Sequence, residues 1–529
     1  MPSFPRFVVR RFAASAALAI LLLPHSVLAA SPRFDITGFD VRGNTLLTPA
    51  ELDAILGPFK GSGREFDDVQ RAVDALQAAY LKRGFTLVRV ALPEQELDAG
   101  VVRFQVVETR IGRVVVEGNT FHDEANIRRS LPGLVEGTVP NISRISASLA
   151  QANENPSKRT TLEMKDGARD GEVDAKLAIA DEKTWSLGLN VDNSGLEETG
   201  KTMVTGVYQN ANLTGRDDVL SVQYTTTAEH AGDVHVYGAG YHLPLYSIGD
   251  SIDAYAVYSD VDSGTVLVGI LPLLVSGKGT VAGARFNHSF GNLGPVDSMA
   301  SVGFEEKIYK ENVSSEGIPL GSDVTVRPLS LGYVGTWKAG ASTTAFTLTL
   351  SRNLPGGEHG SSEDFEHARA SANPDYLLAR YGFAYTRVLP LDWQFRFAGA
   401  GQYSSDALVP GEQFGAGGMG SVRGFETRQV TGDKGISGSV EMYTPNLCGG
   451  LQVSTFCRGL VFYDGAHVGR NETLPGEISS LSIGSVGAGL RAAVGRYVTL
   501  QFDYGHVVEG GSVEPNGHNK FNFKVGLTY

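Results

Sequence analysis

The chain of 529 residues carries 45 Lys and Arg against 58 Asp and Glu, a formal net charge of −13, with 19% charged residues and 65 glycines. This length exceeds one compact soluble domain, and the acidic balance excludes nucleic acid as the main partner, because phosphate binding needs a basic face. No G-x-S-x-G elbow, H-E-x-x-H helix or Walker loop occurs, and the 11 histidines lack metal-ligand spacing, so no enzyme activity, cofactor or metal is expected.

At the N-terminus Arg6, Arg10 and Arg11 precede an apolar run from Ala13 to Leu23, followed by small residues in Val27-Leu28-Ala29-Ala30. The run suits an export signal over residues 1–30 and is too short to span a bilayer as a helix. No later run reaches 18 apolar residues. The longest, Thr265 to Val275, is broken by Pro272 and suits either a lipid-facing strand extension or a loop folded into a barrel mouth.

Residues 31–182 read as two copies of one α/β unit, 31–110 and 111–182. Phe34 to Asn44 and Ile111 to Asn119 alternate as strands, and each ends in Gly-Asn. Thr48-Pro-Ala-Glu51 suits a capping box with Pro at the first helical position. A second helix, capped by Asp67 or Asp68, carries Val69, Val73, Leu76 and Tyr80 on one face, and strands at Phe85 to Leu92 and Val101 to Val107 follow. The second copy has helices at His122 to Leu131 and Ile142 to Ala152, then strands at Arg159 to Met164 and Val173 to Ile179. Asn155-Pro156 stops the latter helix, since a residue before Pro avoids the helical region. The order β-α-α-β-β, twice, resembles polypeptide-transport-associated (POTRA) domains.

From Lys183 helical periodicity gives way to alternating segments of strand length separated by Gly, Asn, Asp and Pro clusters. Sixteen can be counted over 183–529, from Trp185 to Val191 through to Lys520 to Tyr529. An even number of such strands predicts an antiparallel outer-membrane β-barrel, which satisfies every backbone group in lipid. Short connections such as Thr214 to Asp217 and Tyr246 to Asp250 alternate with long ones such as Asn353 to Pro374 and Asp406 to Lys434, as expected of periplasmic turns and external loops. Cys448 and Cys457 flank the connection between strands twelve and thirteen. The alternation puts that turn in the periplasm, where a disulfide persists. In the last strand Phe521, Phe523 and Tyr529 share one face. That terminal pattern resembles the C-terminal signal of outer-membrane proteins, and implies outer-membrane lipids and the barrel assembly machinery as partners.

The longest loop, between strands eleven and twelve, holds the glycine-rich run Gly415 to Gly420 and then Val422-Arg423-Gly424-Phe425. Together with Leu149 to Asn155-Pro156, Arg159, and Leu460-Val-Phe-Tyr-Asp464-Gly465, it is similar to the motifs of the two-partner secretion transporters (TpsB family), the outer-membrane partners of haemolysin-like and filamentous-haemagglutinin-like exoproteins. The resemblance implies that Val422 to Phe425 sits at the tip of a loop folded into the barrel, with Arg423 reaching an inward carboxylate on strand thirteen, Asp464. Alternation along that strand agrees. Phe462, Asp464 and Ala466 share a face, and a carboxylate on the lipid face would be costly. Unlike some members, this chain begins its first strand within a few residues of the cleavage region, so a plugging helix is not expected and the lumen is either closed by the long loop or left partly open.

The resemblance implies a pore that takes an unfolded exoprotein, an adhesin or cytolysin rich in β-repeats, from POTRA domains in the periplasm to the cell surface or medium. The alternatives are an assembly factor that inserts other barrels, which usually carries more POTRA units, and a passive porin or receptor, which would not need periplasmic modules.

Overall fold

A computed structural model describes residues 33–529, apart from 97–99, 198, 261–263, 269–270, 276–277, 311–313, 316–317, 320–322 and 450–454. The predicted export signal lies outside the described residues. Two units are distinguished, residues up to 82 with 88–108, and 83–87 with 109–529.

In the first unit Gly38–Arg42 pairs parallel with Val101–Glu108, which pairs antiparallel with Val88–Ala91. Two helices, Pro49–Leu56 and Phe66–Lys82, cover this sheet with Leu56, Val69, Val73, Leu76 and Tyr80. The predicted capping box is present: Thr48 accepts from the Glu51 amide, and Glu51 accepts from the Thr48 amide. Helix two differs from expectation. It begins at Phe66, so Asp67 and Asp68 lie inside its first turn, and Asp68 accepts from the Glu65 amide at 3.0 Å instead of capping from outside. A short strand, Gly61–Arg64, pairs with Phe34–Ile36 and has no apolar alternation to announce it.

The second unit opens with the same topology. Arg110–Glu117 runs parallel to Glu172–Asp181, which pairs antiparallel with Lys158–Asp166. Helices Glu124–Ser130 and Ile142–Ala152 bury Ile127 and Ile145 against Ile111, Val114, Leu177 and Ile179. The repeat extends to single atoms. Gly43 and Gly118 both take positive φ, where a side chain is strained, and a Cβ would strike the carbonyl oxygen of Val106 or Ile179 on the last strand of its own copy. The following asparagines each donate to the carbonyl three residues on, Asn44 to Leu47 at 2.7 Å and Asn119 to His122 at 2.9 Å.

Trp185 onward forms a closed antiparallel barrel of sixteen strands. Strand eight is interrupted at Arg327, and its two pieces, Val324–Val326 and Pro328–Ala339, both pair with strand seven, Val296–Tyr309. Strand sixteen, Asn519–Thr528, closes on strand one, Trp185–Asp192, from Lys524 against Asp192 to Thr528 against Gly188. Alternation drives closure. Leu187, Tyr224, Phe304, Leu350, Tyr463 and Leu527 point out of the barrel wall and are exposed, whereas Gln223, Asp253, Asn287, Asp464, Asp503 and Asn522 are buried on the lumen side. Among the described residues no helix is long and apolar enough to cross a membrane.

Several connections carry structure of their own. The run Thr265 to Val275 forms a hairpin of its own, Gly264–Val268 with Leu271–Val275, separate from the barrel sheet. The connection after strand nine contains a helix, Ser362–Ala368, whose Ser361 and Asp364 form a second capping box.

Candidate functional site: an arginine latch in the lumen

The longest loop joins strand eleven, Gln394–Tyr403, to strand twelve, Lys434–Tyr443. It returns as a hairpin, Phe414–Ala416 paired with Val430–Gly432, and carries Val422 to Phe425 at its tip. Val422 and Phe425 are fully buried. They pack with Ala416 and Val430 against Ala466 and Val468 of strand thirteen, Ile483 of strand fourteen and Val507 of strand fifteen. These wall residues fall on the lumen face by strand alternation, so an apolar patch inside an otherwise polar wall seats the loop.

Arg423 is 4% exposed. Its Nε and Nη2 each lie 2.7 Å from one oxygen of Asp464, a bidentate pair, and its backbone amide donates to Asp464 at 3.1 Å. Nη2 also donates to Ser439 at 3.0 Å, and Nη1 lies 2.9 Å from Glu441 and 3.4 Å from Asp503. The guanidinium carbon stands 3.5 Å from the centre of the Phe462 ring. Glu441 and Asp503 have further cations of their own, Arg396 at 2.9 Å and Arg491 at 2.9 Å. Asp464 is fully buried, and Arg423 is the side chain that neutralises it.

Register explains the room for this side chain. Asp464 on strand thirteen, Thr455–Gly469, is flanked by Ser439 and Ser485 on the neighbouring strands, which keeps bulk away from the carboxylate. Gly465 sits between Gly438 and Gly484 in the next row. On strand fifteen, Val498–Glu509, a Cβ at Gly505 would come 2.8 Å from the Arg423 carbonyl, so the loop tip requires glycine there. Gly424 packs against Val507 and Ser485.

The loop is held at its root as well. Asp433, fully buried, pairs with both terminal nitrogens of Arg369 and accepts from the amides of Leu408 at 2.9 Å and Asn471 at 2.6 Å. Glu412, also buried, meets Lys307 at 3.0 Å, Arg380 at 3.0 Å and the Tyr309 hydroxyl at 2.8 Å. Arg369 follows the helix Ser362–Ala368, whose Phe365 packs with Val326, Tyr376, Leu408 and Val409. One external connection is thereby tied to the returning loop.

The remaining predicted residues lie elsewhere. Leu149 packs on the core of the second unit, and Asn155 donates to the Ala211 carbonyl in the turn after barrel strand two at 2.6 Å. Pro156 is exposed, and Arg159 donates to the carbonyls of Asn153 and Asn155 at the end of helix Ile142–Ala152. Cys448 and Cys457 form a disulfide with their Cα atoms 5.4 Å apart. Strand thirteen begins at Thr455, earlier than alternation indicates, so Cys457 lies within it. On strand sixteen Phe521 is exposed and stacks on Phe502, Phe523 is half-buried, and Tyr529 lies 5.8 Å from Trp185 at the closing seam.

Residues 171–492 match the family model described as "Haemolysin secretion/activation protein ShlB/FhaC/HecB", and residues 34–109 match "POTRA domain, ShlB-type". The chain belongs to the haemolysin secretion/activation family. It is an outer-membrane two-partner secretion transporter by family. Among curated relatives of this family, the outer membrane transporter CdiB of Escherichia coli O6:K15:H31 is 25% identical over 76% of this chain and 68% of its own length. The hemolysin transporter protein ShlB of Serratia marcescens is 26% identical over 76% of this chain and 70% of its own. The solved structure of CdiB from Escherichia coli superposes with a TM-score of 0.77 at 23% identity, covering 96% of this chain and 93% of that one, and so shares the fold.

Glu441, Asp503, Ser439 and Gly505 were not visible as site residues in the sequence. A usable signal existed for two of them. In Asp503-Tyr-Gly505 the Asp and the Gly stand two apart, so alternation puts both on the lumen face of strand fifteen. Arg369, Asp433 and Glu412 carry no local signal, because their partners come from distant connections.

Proposed function

We propose that this protein is an outer-membrane pore that takes an unfolded partner exoprotein from two periplasmic POTRA domains, 31–110 and 111–182, and passes it through the barrel of 183–529 to the cell surface or medium. The observation that carries this reading is the returning loop, whose Arg423 is bound to Asp464 inside a closed barrel continuous with a periplasmic βααββ unit. A porin has no use for either part. The exposed edge strands of each three-stranded sheet offer backbone donors and acceptors to an extended polypeptide by β-augmentation. An exoprotein rich in β-repeats, of the adhesin or cytolysin class, suits that mode, and its folding outside the cell would bias the direction of transport. The Arg423 loop is the element that must both hold the barrel in shape and yield to the passing chain.

The test is deletion followed by comparison of the culture medium with the outer-membrane protein profile. Loss of one large secreted protein is the expected result. A broad loss of outer-membrane barrels would instead identify an assembly factor, the second reading, and would overturn transport.

A further inference from the structure

The second periplasmic unit meets the barrel through a buried polar joint. Lys158 begins an edge strand of that unit's sheet, two residues after Pro156, and is 2% exposed. Its ammonium pairs with Asp217 and donates to Asn126 at 3.0 Å. Asp217 lies in the turn between barrel strands two and three, is 2% exposed, and accepts from the Tyr246 hydroxyl of the next periplasmic turn at 2.8 Å. Asn126 reaches the Gly215 carbonyl at 3.0 Å, and Asn155 reaches the carbonyls of Ala211 and Asp217. His122 completes the pocket, with Nε2 3.9 Å from the second oxygen of Asp217.

Two features show that this joint is specified. Asp217 holds a φ of 63°, a left-handed conformation that a non-glycine residue keeps only when its surroundings over-determine it. A cation and a carboxylate withdrawn from water on opposite faces of one interface are each costly alone, so separating the faces exposes or strands both. The contact therefore has one favourable geometry, unlike an apolar surface that can slide.

We infer that the second periplasmic unit is a fixed vestibule seated on the barrel by Lys158 and Asp217, and that these two, with Asn155, are positioning residues that aim the exoprotein at the lumen. The inference rests on the transport reading above and adds to it that the unit does not swing. It also assigns a reason for the Asn155-Pro156 motif: Pro156 ends the helix where Asn155 must face the turn at Ala211.

The experiment uses the full chain, purified and reconstituted in lipid nanodiscs, with spin labels at Asp170→Cys on the far hairpin of the second unit and Ile248→Cys on a periplasmic turn. Pulsed dipolar spectroscopy on this background is expected to give one narrow distance distribution. A broad or multimodal distribution would overturn the fixed seat without any further variant. Asp217→Ala should broaden the distribution and abolish most secretion, while the barrel keeps its heat-modifiable migration. Asp217→Asn, which tolerates the left-handed backbone and can still accept from Lys158, should restore both. Broadening with secretion intact would overturn the positioning role. If the unsubstituted protein secretes nothing, the transport reading fails, and the distance measurement still decides whether the unit is fixed.

Discussion

The lumen latch and the periplasmic joint each bury one cation, and they bury it differently. Arg423 faces three carboxylates, two of which keep a second cation, Arg396 or Arg491. Lys158 forms one ion pair, with Asp217, and its other hydrogen bond goes to the neutral Asn126, while Asp181 acts on it only from a distance. A shared network tolerates the loss of an outer member and fails only at its hub. A single pair fails at either end. The hub design suits a loop that must stay in place through many disturbances of the lumen, and the single pair suits a seat with one permitted geometry.

The largest expected effect is at the hub. Arg423→Ala strands a fully buried Asp464 and should cost about 3–5 kcal/mol of loop anchoring. The readout is secretion, which should fall while the barrel still inserts; normal secretion would remove the role assigned to the loop. Lys158→Ala comes next, at about 3 kcal/mol, since Asp217 retains the Tyr246 hydroxyl. It should loosen the second unit without releasing the loop, as read by protease sensitivity of the periplasmic region in detergent. Arg369→Ala leaves Asp433 with two backbone amides and the Gln413 side chain but no cation, and should open the external connections to protease added to whole cells. Unchanged cleavage would mean that the root contacts do not hold the loop. Asp503→Asn is expected to be smaller, about 1–2 kcal/mol, because Arg423 keeps Asp464 and Glu441. An effect equal to that of Arg423→Ala would show that the network has no hub.

The smallest effect is a pH dependence confined to the joint. Burial, and then the charge of Lys158, hold the His122 imidazole below its ordinary pKa. A proton taken up near pH ~6.5 in the unfolded chain is therefore resisted in the folded one. The contribution of this histidine to stability is complete above that pH and is lost as pH falls through the folded value. Asp181, beneath His122, is opposed by burial but held ionised by the amides of Phe121, His122 and Thr120, so its own loss comes only at more acid pH. Thermal unfolding followed between neutral and mildly acid pH should show a decline that His122→Gln flattens. An equal decline in that variant would place the titration elsewhere.

Much of this was legible in the chain itself. Alternation along strands thirteen and sixteen put Asp464 inside and Phe521 outside, since a residue's face in a strand depends only on parity. The capping box at Thr48 and the helix stop at Asn155-Pro156 were equally local. The short strand Gly61–Arg64 and the helix Ser362–Ala368 were missed: one has no apolar residue to alternate, and the other is a single capped segment inside a long loop.

Local pattern along the chain is enough for the repeat of small α/β units, the number of barrel strands, the face of each strand residue and the place of the glycine-rich loop. All of these follow from periodicity and turn chemistry read within a few residues. Folding in three dimensions adds that Arg423 serves Glu441 and Asp503 as well as Asp464, that Asp433 holds Arg369, and that Lys158 meets Asp217. Those pairs join residues that chain distance keeps apart, and barrel register and the docking of the second unit bring them together, which no local pattern encodes.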